Sequence, residues 1–369
     1  MSSFDVGQLI LMGIPGTELN PETESLIKSI QPGGFIIFGR NIESPDQLRK
    51  LTDDLRALSE TEPFITIDQE GGRVSRLRLI GSEPPNALQL CQKNNPELIK
   101  RHGKLTGQLL RLYGFNLNLC PVLDISINEQ ADNSLRGRCY GENANQVITN
   151  AATFNKAMRS KGILSCGKHF PGYTYASCDA HEELPTVHRT REDWELIECA
   201  PFRALLPDLD CVMVCHTHYP FFDPGDKKVP ASLSHTAITE TLRNQLGYDN
   251  GLVMTDDLDM GAILNEFGFE DTIQRAILAG NDIVMICHRT EMAKEALTIL
   301  EKMPPQSTTD SLERIHEAKT KLQPPSQFTQ DSVKDLDDQI WDLRVDTLGE
   351  ELANEKSIED GKRSPVETY

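Results

Sequence analysis

The stretch GFIIFGRNIESPDQLRKLTDDLRALSETEPFITID, Gly34 to Asp68, holds one complete unit of the fold. It begins and ends with short runs that are apolar almost throughout, GFIIF (34–38) and FITID (64–68), as parallel strands covered on both faces should be. Between them Ser44, Pro45 and Gln47 offer an N-cap, an N1 proline and a capping-box glutamine. Leu48, Leu51, Leu55 and Leu58 then fall on one helical face. The local reading is strand, helix, strand.

Six further runs share this character: QLILM (8–12), NLNLC (116–120), ILSCG (163–167), CVMVC (211–215), LVMTD (252–256) and DIVMIC (282–287). The segments between the runs are long enough for a helix each, so the order predicts an α/β fold, a (β/α)8 barrel of the TIM type. A doubly wound open sheet is the alternative, but no G-x-G-x-x-G follows any run. Near residue 324 the character changes: residues 331–369 carry twelve acidic and five basic side chains, while Val333, Leu336, Ile340 and Leu343 keep helical spacing. A catalytic domain over 1–324 and an acidic tail over 325–369 with one amphipathic helix are expected. The helix is either docked or mobile, and its removal should leave the catalytic face assembled.

Composition narrows the function. With 369 residues and 38% apolar content the chain can bury an enzyme-sized core. A net charge of −19 gives no field that gathers nucleic acid or anionic membrane, so an anionic ligand needs local Arg or Lys. Nine scattered cysteines without a C-x-x-C pair read as a reduced interior. The start, MSSFDVGQLILMGIPG, lacks a basic n-region and a long apolar run, so a cytoplasmic location is expected, as a monomer or weak homodimer.

Barrel enzymes place their chemistry at the carboxyl ends of the strands. Polar residues cluster there: DQEGGRVSRLR after the third run, PVLD after the fourth, GKHFPG after the fifth, HTHY after the sixth and TDDLDM at the seventh. Taken singly, each has a plain structural reading. Asp68 could cap a turn, Lys168 snorkel, His169 fill the core, Asp256 and Asp257 cap a helix, and the Asp179-x-His181 pair with Glu182 and Glu183 lie on a solvated loop. His216-x-His218 on a strand could bind a metal together with His169, although a fuller ligand set is missing.

FITIDQEGGRVSRL, RGRCYGE, GKHFPG with DAHEELP, CHTHYP with PASLS, and NGLVMTDDLDMGAI, in this order, resemble the β-N-acetylglucosaminidases of glycoside hydrolase family 3, particularly the cytoplasmic enzymes of peptidoglycan recycling. The resemblance implies a barrel, a small carbohydrate substrate, retaining hydrolysis of terminal β-linked N-acetylglucosamine, and no metal or other cofactor. It assigns Asp256 as nucleophile, His181 as general acid/base and Asp179 as its partner. Asp68, Arg76, Arg138, Lys168 and His169 become sugar-binding positions, with His216 and Asp124 lining the same pocket. An imidazole exchanges its proton near neutral pH, and Asp179 would orient the ring and stabilise its charged form. Gly71 and Gly72 would let the backbone approach the sugar. A phosphorylase that intercepts the intermediate with phosphate is the nearest alternative, and another β-glycosidase of the same family or a non-catalytic sugar-binding relative are the others. Two departures stand out. Tyr173-Thr174-Tyr175 replaces a His-Gly-Asp run, and Asp259 replaces a serine, adding negative charge one turn from the nucleophile.

Overall fold

The computed structural model describes residues 6–127, 134–176, 184–225, 227–259, 263 and 266–355. Eight described strands form a closed parallel barrel: β1 (Ile10–Gly13), β2 (Gly34–Ile37), β3 (Phe64–Ile67), β4 (Leu117–Asn118), β5 (Leu164–Phe170), β6 (Cys211–Val214), β7 (Leu252–Asp257) and β8 (Ile283–Ile286). Each pairs with its sequence neighbours, and β8 returns to β1 through Ile10 opposite Val284. The eight apolar runs are thus the eight staves. β1, β2, β3, β6 and β8 are buried at every position, which is why they lack a polar alternation.

The helix Pro45–Leu58 starts as its sequence says, with the Ser44 hydroxyl accepting from the Gln47 N–H at 3.3 Å. The Gln47 side chain differs from the capping-box expectation: it accepts from the N–H of Glu43, one residue earlier, because its amide is drawn to the carbonyls of Thr17 and Asn41. Leu48, Leu51 and Leu55 are buried against the barrel.

β4 is the shortest stave, and two asparagine side chains complete its edge. Asn116 accepts from the Ile65 N–H and donates to the Pro63 carbonyl. Asn118 does the same for both backbone groups of Gln69. These fully enclosed amides imitate a ladder partner, so no backbone polar group of the β3 exit is stranded. Their effect is to fix the direction in which Gln69 and Glu70 leave the barrel.

The tail helix, Gln330–Leu348, is docked. Its Val333, Leu336, Ile340 and Leu343 are buried, and it packs on the helix Pro96–Leu112, where Arg101 reaches Asp346 at 2.5 Å. No described helix is long and apolar enough to cross a membrane, and the eight described cysteines are all free.

Candidate active site

The carboxyl ends of β3, β4 and β5 deliver an interlocked ion network. Beyond β3 the chain makes a short antiparallel hairpin, Gln69–Gly71 with Val74–Ser75, then a 3-10 turn over Arg76–Leu79. Asp68 stands just before this hairpin, Glu70 on it and Arg76 on the turn. The ammonium of Lys168, within β5, lies 2.6 Å from Asp68 Oδ1 and 2.7 Å from Glu70 Oε1. Arg138 grips Glu70 with two parallel bonds of 2.8 Å, the fork geometry that guanidinium and carboxylate share. Arg76 approaches Asp68 at 3.6 Å.

The network explains its own ionisation. Burial pushes Glu70 up, but the charges and hydrogen bonds of Arg138 and Lys168 outweigh it and hold the carboxyl well below the usual range. Burial likewise pulls Lys168 down, and Asp68 and Glu70 more than reverse it. Charged groups persist in this enclosed place because each has opposite charges in direct contact.

Asp124, with no side-chain exposure, accepts from the His169 ring Nδ1 at 2.7 Å, from the His169 backbone N–H at 3.1 Å and from the Tyr173 N–H at 2.6 Å. Arg138 lies 3.4 Å from the other ring nitrogen, so the imidazole stands between donor and acceptor with its proton on Nδ1. Thr174 accepts from the Ile125 N–H at 3.0 Å. The departure at 173–175 therefore begins as an ordered strut between the β4 and β5 exits.

At β7, Asp256 is the one residue of the six that is not buried. Its Oδ1 accepts from the N–H of Asp257 at 2.9 Å. Burial, then Asp257 and Asp259 ahead of Asp256 and Asp68, raises the Cys287 thiol, and burial with smaller contributions from Asp124 and Asp256 raises that of Cys215. Asp256 stands near the carboxyl end of β7, on the same rim of the parallel barrel as the network at the ends of β3, β4 and β5.

Behind Asp256 lies a second layer. Burial, then the neighbouring Asp259, pushes Asp257 well above the usual carboxyl range, toward the neutral form. Asp259 is itself buried, and its Oδ2 accepts from the backbone N–H groups of His288 and Arg289 at 2.7 and 2.8 Å. The charge expected of Asp259 is spent tying the β8 exit to the β7 exit. His288 stands 3.4 Å from Asp257, and Arg40 holds its other ring nitrogen at 3.0 Å.

His216 is wholly buried, with Nδ1 2.7 Å from the Ser232 hydroxyl and Nε2 2.8 Å from the Asp257 carbonyl. His218 instead directs Nδ1 to the Val229 carbonyl at 3.0 Å. The strand ends at Val214, so the period of two that would aim both rings one way has lapsed. With His169 committed to Asp124, the three histidines do not converge, and the described residues contain no metal-ligating cluster. Gly71 and Gly72 are required by the chain's own packing. At φ +118° and +56°, a Cβ on them would meet the Pro85 carbonyl oxygen at 2.4 Å and the Asn86 Cβ at 2.6 Å. The close approach is made by the chain itself. Asp179 and His181 lie outside the described residues.

Glu70 and His288 carry no signal in the sequence, and Asp257 reads there only as a helix cap. Glu70 sits within a quoted motif, but its partner Arg138 is 68 residues away, and no local pattern reports such a pairing.

A parallel barrel whose carboxyl-end mouth gathers carboxylates, cations and an imidazole is the layout of a barrel enzyme for a polar substrate. The chain belongs to glycoside hydrolase family 3: the glycosyl hydrolase family 3 N terminal domain matches residues 3–318, and the protein is a glycoside hydrolase. It is 32% identical to a beta-hexosaminidase of Pseudomonas aeruginosa over 295 residues, 80% of this chain and 86% of that one. It is 34% identical to a beta-hexosaminidase of Alkalilimnicola ehrlichii, over 83% and 88% of the two chains. Among solved structures, a family 3 beta-N-acetylglucosaminidase from Paenibacillus sp. str. FPU-7 superposes with a TM-score of 0.86 at 31% identity, covering 94% of this chain and 69% of that one. NagZ from Neisseria gonorrhoeae in complex with N-trifluoroacetyl-D-glucosamine gives 0.76 at 26% identity, covering 91% and 97%.

Proposed function

We propose that the protein is a retaining exo-β-N-acetylglucosaminidase that releases terminal β-linked N-acetylglucosamine from soluble cytoplasmic fragments, muropeptides or chito-oligosaccharides. The observation that carries this is Asp256: an accessible carboxylate on an otherwise buried strand, opening on the mouth that holds the Asp68–Glu70–Arg138–Lys168 network.

In this reading Asp256 attacks the anomeric carbon, and His181, oriented by Asp179, protonates the leaving oxygen and later deprotonates water. Lys168, Arg76 and Arg138 donate to sugar hydroxyls while Asp68 accepts from them. Because Glu70 already fixes Arg138 and Lys168, the cations meet the sugar with little reorganisation. Asp124 holds the His169 ring beside Arg138, and His216 holds the backbone next to the nucleophile, so both position groups that touch substrate. Burial and Asp259 push Asp257 toward its neutral form, which limits the negative charge around Asp256.

The test compares two variants. Asp256→Ala should lose all substrates together. His181→Ala should lose natural substrates by roughly 10²- to 10⁴-fold. A nitrophenyl glycoside should still react once in that variant, accumulate glycosyl-enzyme, and turn over again when azide is added. Equal loss of both substrates without a burst or azide adduct removes His181 from the acid/base role. Running natural fragments with and without phosphate separates hydrolysis from phosphorolysis by whether a sugar 1-phosphate forms.

A further inference from the structure

The tail helix Gln330–Leu348 lies beyond the family match, yet it touches the chain that builds the sugar-facing network. Arg344, 4% exposed, bonds the Glu83 carboxylate at 2.9 Å and the Glu83 carbonyl at 3.0 Å. Its remaining nitrogens are held by the carbonyls of Ala353 and Glu355. One turn-pair earlier, Asp337 accepts from the Ser82 N–H, and a Cβ on Gly81 would stand 2.7 Å from that same oxygen.

Residues 81–83 link two parts of the site. Upstream, they continue the 3-10 turn that carries Arg76. Downstream, the Pro84 carbonyl accepts from Gly72 at 2.8 Å and Pro85 presses on Gly71, so the hairpin bearing Glu70 is closed from outside. The helix can serve as a fixed support because it is anchored independently, by its buried Val333, Leu336, Ile340 and Leu343 and by Arg101 to Asp346. A cleft of about 140 Å³ lies between Leu77, Ile80, Tyr113 and Val333, so apolar packing does not fill the space between the turn and the helix and the polar ties bridge it.

We propose that Arg344 and Asp337 are positioning residues for substrate binding: the tail helix holds segment 81–85, and through it Arg76 and Glu70, in the geometry that receives the sugar. This rests on the hexosaminidase reading. Groups that hold non-reacting hydroxyls bind ground state and transition state alike, so their displacement raises KM and leaves kcat nearly unchanged.

The experiment uses the full chain with an aryl N-acetyl-β-glucosaminide, competitive inhibition by N-acetylglucosamine, and a thermal melt of each variant. Arg344→Ala should raise KM and the inhibition constant together by roughly 10-fold, the equivalent of about 1.4 kcal/mol of lost binding. Asp337→Ala, on a partly exposed helix position and so able to fold, should raise both several-fold, and Asp337→Asn, which keeps an acceptor for Ser82, should restore them. If Arg344→Ala does not fold, Asp337→Ala decides. Wild-type KM and inhibition constant in Asp337→Ala, whatever its melting temperature, overturn the proposal and leave the activity standing. A wild-type chain inactive on every hexosaminide overturns both.

Discussion

Glu70 shows what one residue does in this molecule. It is buried between Arg138 and Lys168 and depends on both for its charge. Glu70→Gln should leave two enclosed cations short of a counter-charge and cost about 3–5 kcal/mol, the usual penalty for breaking a buried pair from one side. Chemical denaturation at pH 7 reads this directly, and a loss under about 1 kcal/mol would mean that Asp68 alone balances the cations. Two other residues set the response to acid. Burial lowers His102 to about 4 from its ordinary value of 6.5. The unfolded state therefore binds more protons between these values, and the stability His102 contributes is lost as pH falls through that window. Burial raises Glu198 to about 7 against the usual 4.5, so there the folded state holds the extra proton and stability is lost as pH rises. The two slopes oppose each other near pH 5–6 in the wild type. Glu198→Gln should expose the His102 slope, with unfolding free energy rising steadily from pH 4.5 to 6.5. An unchanged pH profile would contradict the burial of one of these groups. Neither residue stands out in the sequence, because a lone Glu in a helical segment gives no sign that Tyr219 and an aromatic cluster will enclose it.

At the level of elements, the strands were legible because complete burial removes any need for polar alternation, and the helix after Ser44 was legible because its cap is local. The irregular exits were not. The hairpin after β3 depends on Asn118, from the next strand, satisfying Gln69, and on residues 84–86 closing over Gly71 and Gly72. Both are contacts between segments that sequence spacing cannot pair. Asn118→Ala should strand the enclosed backbone groups of Gln69, lower stability by about 1–3 kcal/mol and weaken sugar binding, since Glu70 follows directly. Wild-type stability would show that the amide imitates no ladder partner. The tail helix divides in the same way. Its apolar face was readable at i, i+3, i+7 and i+10, whereas Arg344 and Asp337, on its other contacts, gain meaning only where Glu83 and Ser82 meet them. Deleting residues 331–369 should therefore lower the melting temperature and raise KM, whereas the sequence alone predicts an intact catalytic face.

For the whole molecule, the strong negative charge and the cations of the network are compatible because Lys168, Arg138 and Arg76 each face a carboxylate. The site was legible in proportion to how much of it lies at strand ends. Asp68, Asp124, Lys168, His169 and Asp256 follow from the barrel register, whereas the layer of Asp257, Asp259, His288 and Arg40 behind the nucleophile arises only when β8 pairs with β7 and Arg40, beyond β2, reaches across the β1 exit to the end of β8. The central claim is that Asp256 forms a covalent glycosyl-enzyme with retention. A carboxylate attacking directly, with a second group about 5–5.5 Å away, retains configuration, while a gap of about 6.5–9.5 Å that admits water inverts it. Proton NMR of the wild-type enzyme acting on an aryl N-acetyl-β-glucosaminide, recorded before mutarotation, distinguishes them. The account predicts β-N-acetylglucosamine as the first anomer formed, and the α-anomer appearing first would contradict it.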